Sequence, residues 1–109
     1  MNPLASRTNP TVEVRLQGSF GIGAREAAEE FVEDLSRYAP EPVLHARVSL
    51  TRSDDPSIDH PVAARVNLDL NGRPVLAHAS AGTVHAALGL TGQRVRAQFR
   101  RLAGQLHHE

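Results

Sequence analysis

The chain draws all of its permanent positive charge from twelve arginines and has no lysine. Four of them, Arg94, Arg96, Arg100 and Arg101, fall within "ALGLTGQRVRAQFRRLAGQ", residues 87–105, a stretch without an acidic residue. A planar guanidinium can hold two phosphate oxygens at once, so this grouping has the chemistry of a phosphate contact. The same pattern also suits the solvated face of a surface helix. At about 100° per residue, Arg94 and Arg101 flank one side of the segment's apolar stripe, and Arg96, Arg100 and His85 flank the other.

Other candidate chemistries are weaker. "DDPSIDHP" brings together Asp54, Asp55, Asp59 and His60, but without the ligand spacing and turn glycine of a calcium loop, so a solvated loop and no metal are expected. His45 and His78 share one strand face with no serine nucleophile suited to a triad, and no catalysis is expected from them. "GSFGIG" lacks the Lys-Ser/Thr of a phosphate-binding loop and the spacing of a dinucleotide fingerprint, and reads as a flexible strand-to-helix turn. Cysteine is absent, which removes thiol catalysis, disulfides and Cys-based zinc sites. No cofactor or small-molecule substrate is implied.

The elements that must carry these residues follow from periodicity. "TVEVRLQ" alternates, with Val12, Val14 and Leu16 on one side. Across "AREAAEEFVEDLSRYAP", Ala24, Ala28, Phe31, Val32, Leu35 and Tyr38 recur at helical spacing, with the acids elsewhere on the helix and Pro40 and Pro42 as the stop. "VLHARVSLTR" alternates with Leu44, Ala46, Val48 and Leu50 together, "VAARVNLDL" with Ala64, Val66, Leu68 and Leu70, and "PVLAHASA" with Val75, Ala77, Ala79 and Ala81. "NGR" between the last two is a strong hairpin signal. From Thr83, a suitable cap, the stripe Val84, Leu88, Thr91, Val95, Phe99, Leu102 and Leu106 predicts a final helix. Gly89 and Gly92 within it each cost about 1 kcal/mol relative to Ala. They read either as a local break or drift, or as the close approach of another backbone.

The order is β-α-β-β-β-α, an α+β two-layer sandwich. Every strand has one apolar face, so a four-stranded sheet carries both helices on one side. The opposite face holds Arg15, Arg47, Arg65, His45 and His78 among Glu13, Asn67 and Asp69. Residues 1–10 read as a disordered tail and 11–109 as a single domain. Twelve acids balance the arginines overall, yet residues 83–109 hold four arginines against Glu109 alone. With no long apolar run and no signal-peptide pattern at the start, no membrane association and a cytoplasmic location are expected.

Order, lengths and final helix resemble the ribosome hibernation-promoting factor family, also called the ribosome-associated inhibitor or sigma-54 modulation family. There the last strand ends in alternating alanines and enters a helix with Ala-Ala near its start and Gln-Leu followed by a basic residue further on. "AHASAGTVHAALGLTGQRVRAQFRRL" aligns with this pattern without a gap. "AREAAEEF" resembles the Leu-Arg-Glu opening and paired acids of the family's first helix. The likeness spans about residues 11–106 and would make the chain the N-terminal, ribosome-binding type of domain.

The resemblance implies a stress factor that occupies the decoding region of the small ribosomal subunit and silences translation without turnover. Arg25 stands at the family's early-helix arginine, and Arg94 and Arg101 at basic positions facing rRNA. Arg96 and Arg100 have no firm counterpart, the family's helix arginine falls on Ala97, and His85 occupies a tyrosine position. The expected rRNA contacts are Arg25, Arg94, Arg96, Arg100 and Arg101, with Arg37 and His85 secondary. Unlike lysine-rich relatives, the first helix carries two arginines and five acids between residues 24 and 38. Long members add a C-terminal dimerisation domain after a linker. Homodimerisation, or a degenerate member serving as a protein-protein interaction module, is the alternative expectation.

Overall fold

The computed structural model describes residues 10–106. The elements are β1 (Thr11–Gln17), α1 (Ala24–Ser36), β2 (Val43–Arg52), β3 (Val62–Leu70), β4 (Arg73–Ala81) and α2 (Val84–Leu106). They form the predicted α+β arrangement. One sheet has the order β1-β2-β3-β4, with β1 parallel to β2 and the remaining pairs antiparallel. Most of the tail expected over residues 1–10, and His107, His108 and Glu109, lie outside the described residues, as does the side chain of Leu106.

The core lies between the helices and one face of the sheet. Val48, Leu50, Val62, Val66, Leu68 and Leu70 of the central strands are fully enclosed, as are Val32 of α1 and Ala87 and Val95 of α2. Burying one such valine or leucine contributes about 1.5–3 kcal/mol. Bulk is supplied mostly by aliphatic residues, while Ala46, Ala64, Ala77, Ala79 and Ala81 keep the sheet surface low under the helices. No helix among the described residues is long and apolar enough to cross a membrane.

Local chemistry fixes the joints. Asn71 and Gly72 both have positive φ, 55° and 94°. That is what a two-residue type I′ hairpin between the paired Leu70 and Arg73 demands. Asp69 Oδ1 accepts from Gly72 N at 2.6 Å and holds the turn. At the "GSFGIG" turn, Gly18 has φ 106°, and a Cβ there would stand 2.6 Å from the Arg52 carbonyl oxygen. Only glycine fits this crossing. Thr83 caps α2 as expected, its Oγ1 accepting from Ala86 N at 3.1 Å.

Three readings of the sequence are corrected. The pairing of β2 with β3 shifts between Val43 and His45, which turns Val43 into the core and leaves Leu44 37% exposed. Helix α1 ends at Ser36, before the prolines: Arg37 N and Tyr38 N bond to the carbonyls of Asp34 and Leu35 in a tightened last turn. Tyr38 is therefore off the buried stripe and exposed. Finally, α2 runs unbroken for 23 residues through both glycines. Gly92 is enclosed against Phe31, whose Cε1 would lie 3.1 Å from an added Cβ, whereas Gly89 faces open space. The close approach at Gly92 is by an aromatic side chain of α1, not by another backbone.

Candidate nucleic-acid interface

Each of the two outer strands of the sheet exposes an edge of unpaired backbone groups, and each receives an arginine from the helix that packs beside it. Arg25, in the first turn of α1, donates from Nη1 to the Val14 carbonyl of β1 at 3.3 Å. On the far edge, Arg94 Nη1 donates to the His78 carbonyl of β4. One turn later in α2, Gln98 Nε2 donates to the Leu76 carbonyl at 2.7 Å. Pro74, further along β4, has no N–H to offer a neighbouring strand. Covering an edge in this way blocks pairing with another chain.

These contacts separate the residues that the sequence grouped together. Arg25 and Arg94 lie at opposite edges of a four-stranded sheet, roughly 15 Å apart at the usual strand spacing. Both are anchored to backbone. On the other shoulder of α2, the Arg96 guanidinium lies 4.1 Å from the centre of the Tyr38 ring, a cation–π stack. Arg37 pairs with Asp34 at 3.3 Å and with Glu33 at 3.7 Å. His85 is exposed in the first turn of α2. Arg100 and Arg101 are exposed and, among the described residues, form no ion pair.

The helical layer thus presents two unlike surfaces. Glu26, Glu29, Glu30, Glu33 and Asp34 of α1 are exposed, and Arg37 compensates only the last two. The outward side of α2 carries Gln93, Ala97, Arg100, Arg101 and Gly104, with no acid. Between the helices runs a groove of about 300 Å³, lined by Phe31, Asp34, Leu35, Gly89, Gly92 and Arg96 among others. Gly92 lets Phe31 of α1 come close to α2 in this groove, whereas nothing stands within 4 Å of where a Cβ on Gly89 would be.

The sheet face turned away from the helices holds a second group of charges. Glu13 accepts from Arg15 Nε at 2.8 Å and from Arg47 Nε at 3.3 Å. The hydrogen bond from Arg15 leads in holding the Glu13 carboxyl below its ordinary range, helped by the charges of Arg15 and Arg47. In the Asp54–His60 loop, Asp55 Oδ1 accepts from Ser57 N at 3.0 Å and from Ser57 Oγ at 2.8 Å. The backbone bond is the larger cause of that carboxyl's lowered pKa. This is the geometry of a closed turn. Alternation within β1 already puts Glu13 and Arg15 on one face, but the pairing of Glu13 with Arg47 depends on strand register.

No protein-family profile and no curated protein matches the sequence. Solved structures do match. The N-terminal domain of Protein Y from Thermus thermophilus superposes with a TM-score of 0.65 at 19% identity, covering 84% of this chain and 98% of that one. A ribosomal subunit interface protein from Coxiella burnetii gives 0.66 at 17% identity, covering 84% of this chain and 96% of that one. The chain therefore has the fold of the Protein Y N-terminal domain, spanning nearly the whole of that domain.

Proposed function

We propose that the chain is a ribosome-binding factor of the hibernation type, which lodges in the decoding region of the small subunit and keeps idle ribosomes silent. The observation that carries this reading is the acid-free outward side of α2, where Arg100 and Arg101 form no ion pair among the described residues, on a fold shared with a ribosomal subunit interface protein. Arg100 and Arg101 are the leading phosphate contacts. Arg96, oriented by Tyr38, comes next. Arg94 spends one N–H on His78 and offers its remaining donors, and Arg25 acts chiefly by shaping the β1 edge. Arg37 and His85 are peripheral.

Action is by occlusion: bound protein fills space that mRNA and tRNA need, and no bond is made or broken. A ribosomal partner places the protein in the cytoplasm. Phosphate contacts of this kind fix position without reading sequence and weaken as salt rises. A second reading, a protein-interaction module, is favoured by the exposed acids of α1, which would repel RNA from that side.

Sedimentation of the purified protein with ribosomal subunits through sucrose, at low and at physiological salt, tests the proposal. Retention on the small subunit that declines with salt is expected. Protein that stays at the top of the gradient even at low salt rejects the ribosomal reading in favour of a protein partner.

A further inference from the structure

The open sheet face contains a cationic trough centred on Ser49. In the strand register, Ser49 of β2 lies beside Arg15 of β1 and beside Arg65 of β3. Arg47 precedes it by two residues on the same face, and His78 of β4 faces Arg65 across the next pair. Ser49 is thus a small floor with guanidiniums on three sides. Glu13 holds Arg15 and Arg47 through their Nε atoms, which leaves the terminal NH2 groups of both available. Arg65 forms no ion pair among the described residues. Asp69, the other carboxylate on this face, accepts the hairpin N–H of Gly72.

Two adjoining depressions, of about 610 and about 470 Å³, meet at Ser49, Arg65 and His78. Together they make one trough across the sheet, from Arg47 and the exposed Leu76 at one end to Gln17 and Ser80 at the other. We propose that this trough binds the phosphodiester backbone of a single-stranded RNA segment, with Arg15, Arg47 and Arg65 holding successive phosphates above Ser49. An elongated, open channel suits a strand better than a free phosphate, which needs enclosure. Neither tyrosine nor phenylalanine lines it, and the His78 imidazole is the one ring a base could meet there, so the contacts are chiefly to phosphates and carry little sequence preference. The inference shares with the proposed function only the chemical class of partner. It uses the opposite side of the domain.

The test is fluorescence anisotropy of a labelled twelve-nucleotide oligouridine with the full chain at low salt. Replacing both Arg15→Gln and Arg65→Gln is expected to weaken binding at least tenfold with an unchanged circular-dichroism spectrum. Two lost contacts should also flatten the log–log salt dependence by about 1.4. Ser49→Glu should abolish binding while Ser49→Ala retains it; equal behaviour of the two Ser49 variants overturns the trough. Unchanged affinity in the double arginine variant overturns it as well, whatever the ribosome sedimentation shows. Competition by uridine monophosphate as effective, per phosphate, as the unlabelled oligomer overturns the assignment to a strand.

Discussion

The two helices cover the same sheet and each sends an arginine to an outer strand, yet they present opposite chemistry to solvent. Helix α1 spans 13 residues, opens on Gly23 without a side-chain cap and exposes acids. Helix α2 spans 23, opens on the hydroxyl of Thr83 and has no acid at all. What they share, an arginine on the strand edge, belongs to the fold. Arg100 and Arg101, which form no ion pair among the described residues and have no counterpart on α1, are the ones proposed to meet a partner. An arginine count along the sequence cannot make that distinction, because Arg94 and Arg101 look alike until the edge of β4 is located.

The largest effect should come from reversing charge on the free side of α2. Arg100→Glu with Arg101→Glu is expected to weaken small-subunit binding by about a hundredfold, from two lost phosphate contacts and added repulsion. Thermal stability should stay within about 0.5 kcal/mol, as at other exposed sites. Neutralising Glu29 and Glu30 on α1 should leave binding equal or stronger; a loss there would erase the contrast between the helices.

Next in size is the edge of β4. Arg94→Ala combined with Gln98→Ala removes both side-chain donors and should cost about 1–2 kcal/mol in urea unfolding. It should also raise the tendency to self-associate, visible by analytical ultracentrifugation. A variant that loses ribosome binding but keeps full stability would show that Arg94 serves RNA rather than the strand.

The two glycines of α2 give a finer test. Gly89→Ala meets nothing within 4 Å and should gain about 1 kcal/mol in helix propensity, read as a higher Tm. Gly92→Ala earns the same propensity but presses on Phe31, so its net change should be smaller or reversed. If both variants rise equally, the Phe31 contact is soft. The smallest effect is expected at Arg96→Gln, where loss of the stack on Tyr38 should cost about 0.5 kcal/mol.

Much of the fold was legible because its signals are local. Alternation in "VAARVNLDL", the Asn71–Gly72 turn, the Thr83 cap and the stripe from Val84 to Phe99 each depend on a few neighbouring residues, and each is found in place. Leu44 departs from its strand's alternation because the register with β3 shifts between Val43 and His45, and a pairing shift cannot be seen in one strand alone. Tyr38 reads as helical from sequence because Pro40 marks where a helix must have ended, whereas α1 ends earlier, at Ser36. The candidate site was legible only as a list of arginines. Which of them are occupied follows from sheet order and register, and the grouping of Arg15, Arg47 and Arg65 around Ser49 exists only once β1, β2 and β3 are aligned.

The paired bonds from Arg94 and Gln98 to β4 also bear on motion. A long helix resting on small alanine side chains could roll about its own axis. Two tethers on one flank, one turn apart, and Phe31 wedged against Gly92 on the other, fix its azimuth. Arg100 and Arg101 therefore leave a backbone that is already aimed before any ligand arrives. Association then needs to order only the guanidinium arms, and a preorganised surface of this kind retains more of its contact energy as affinity.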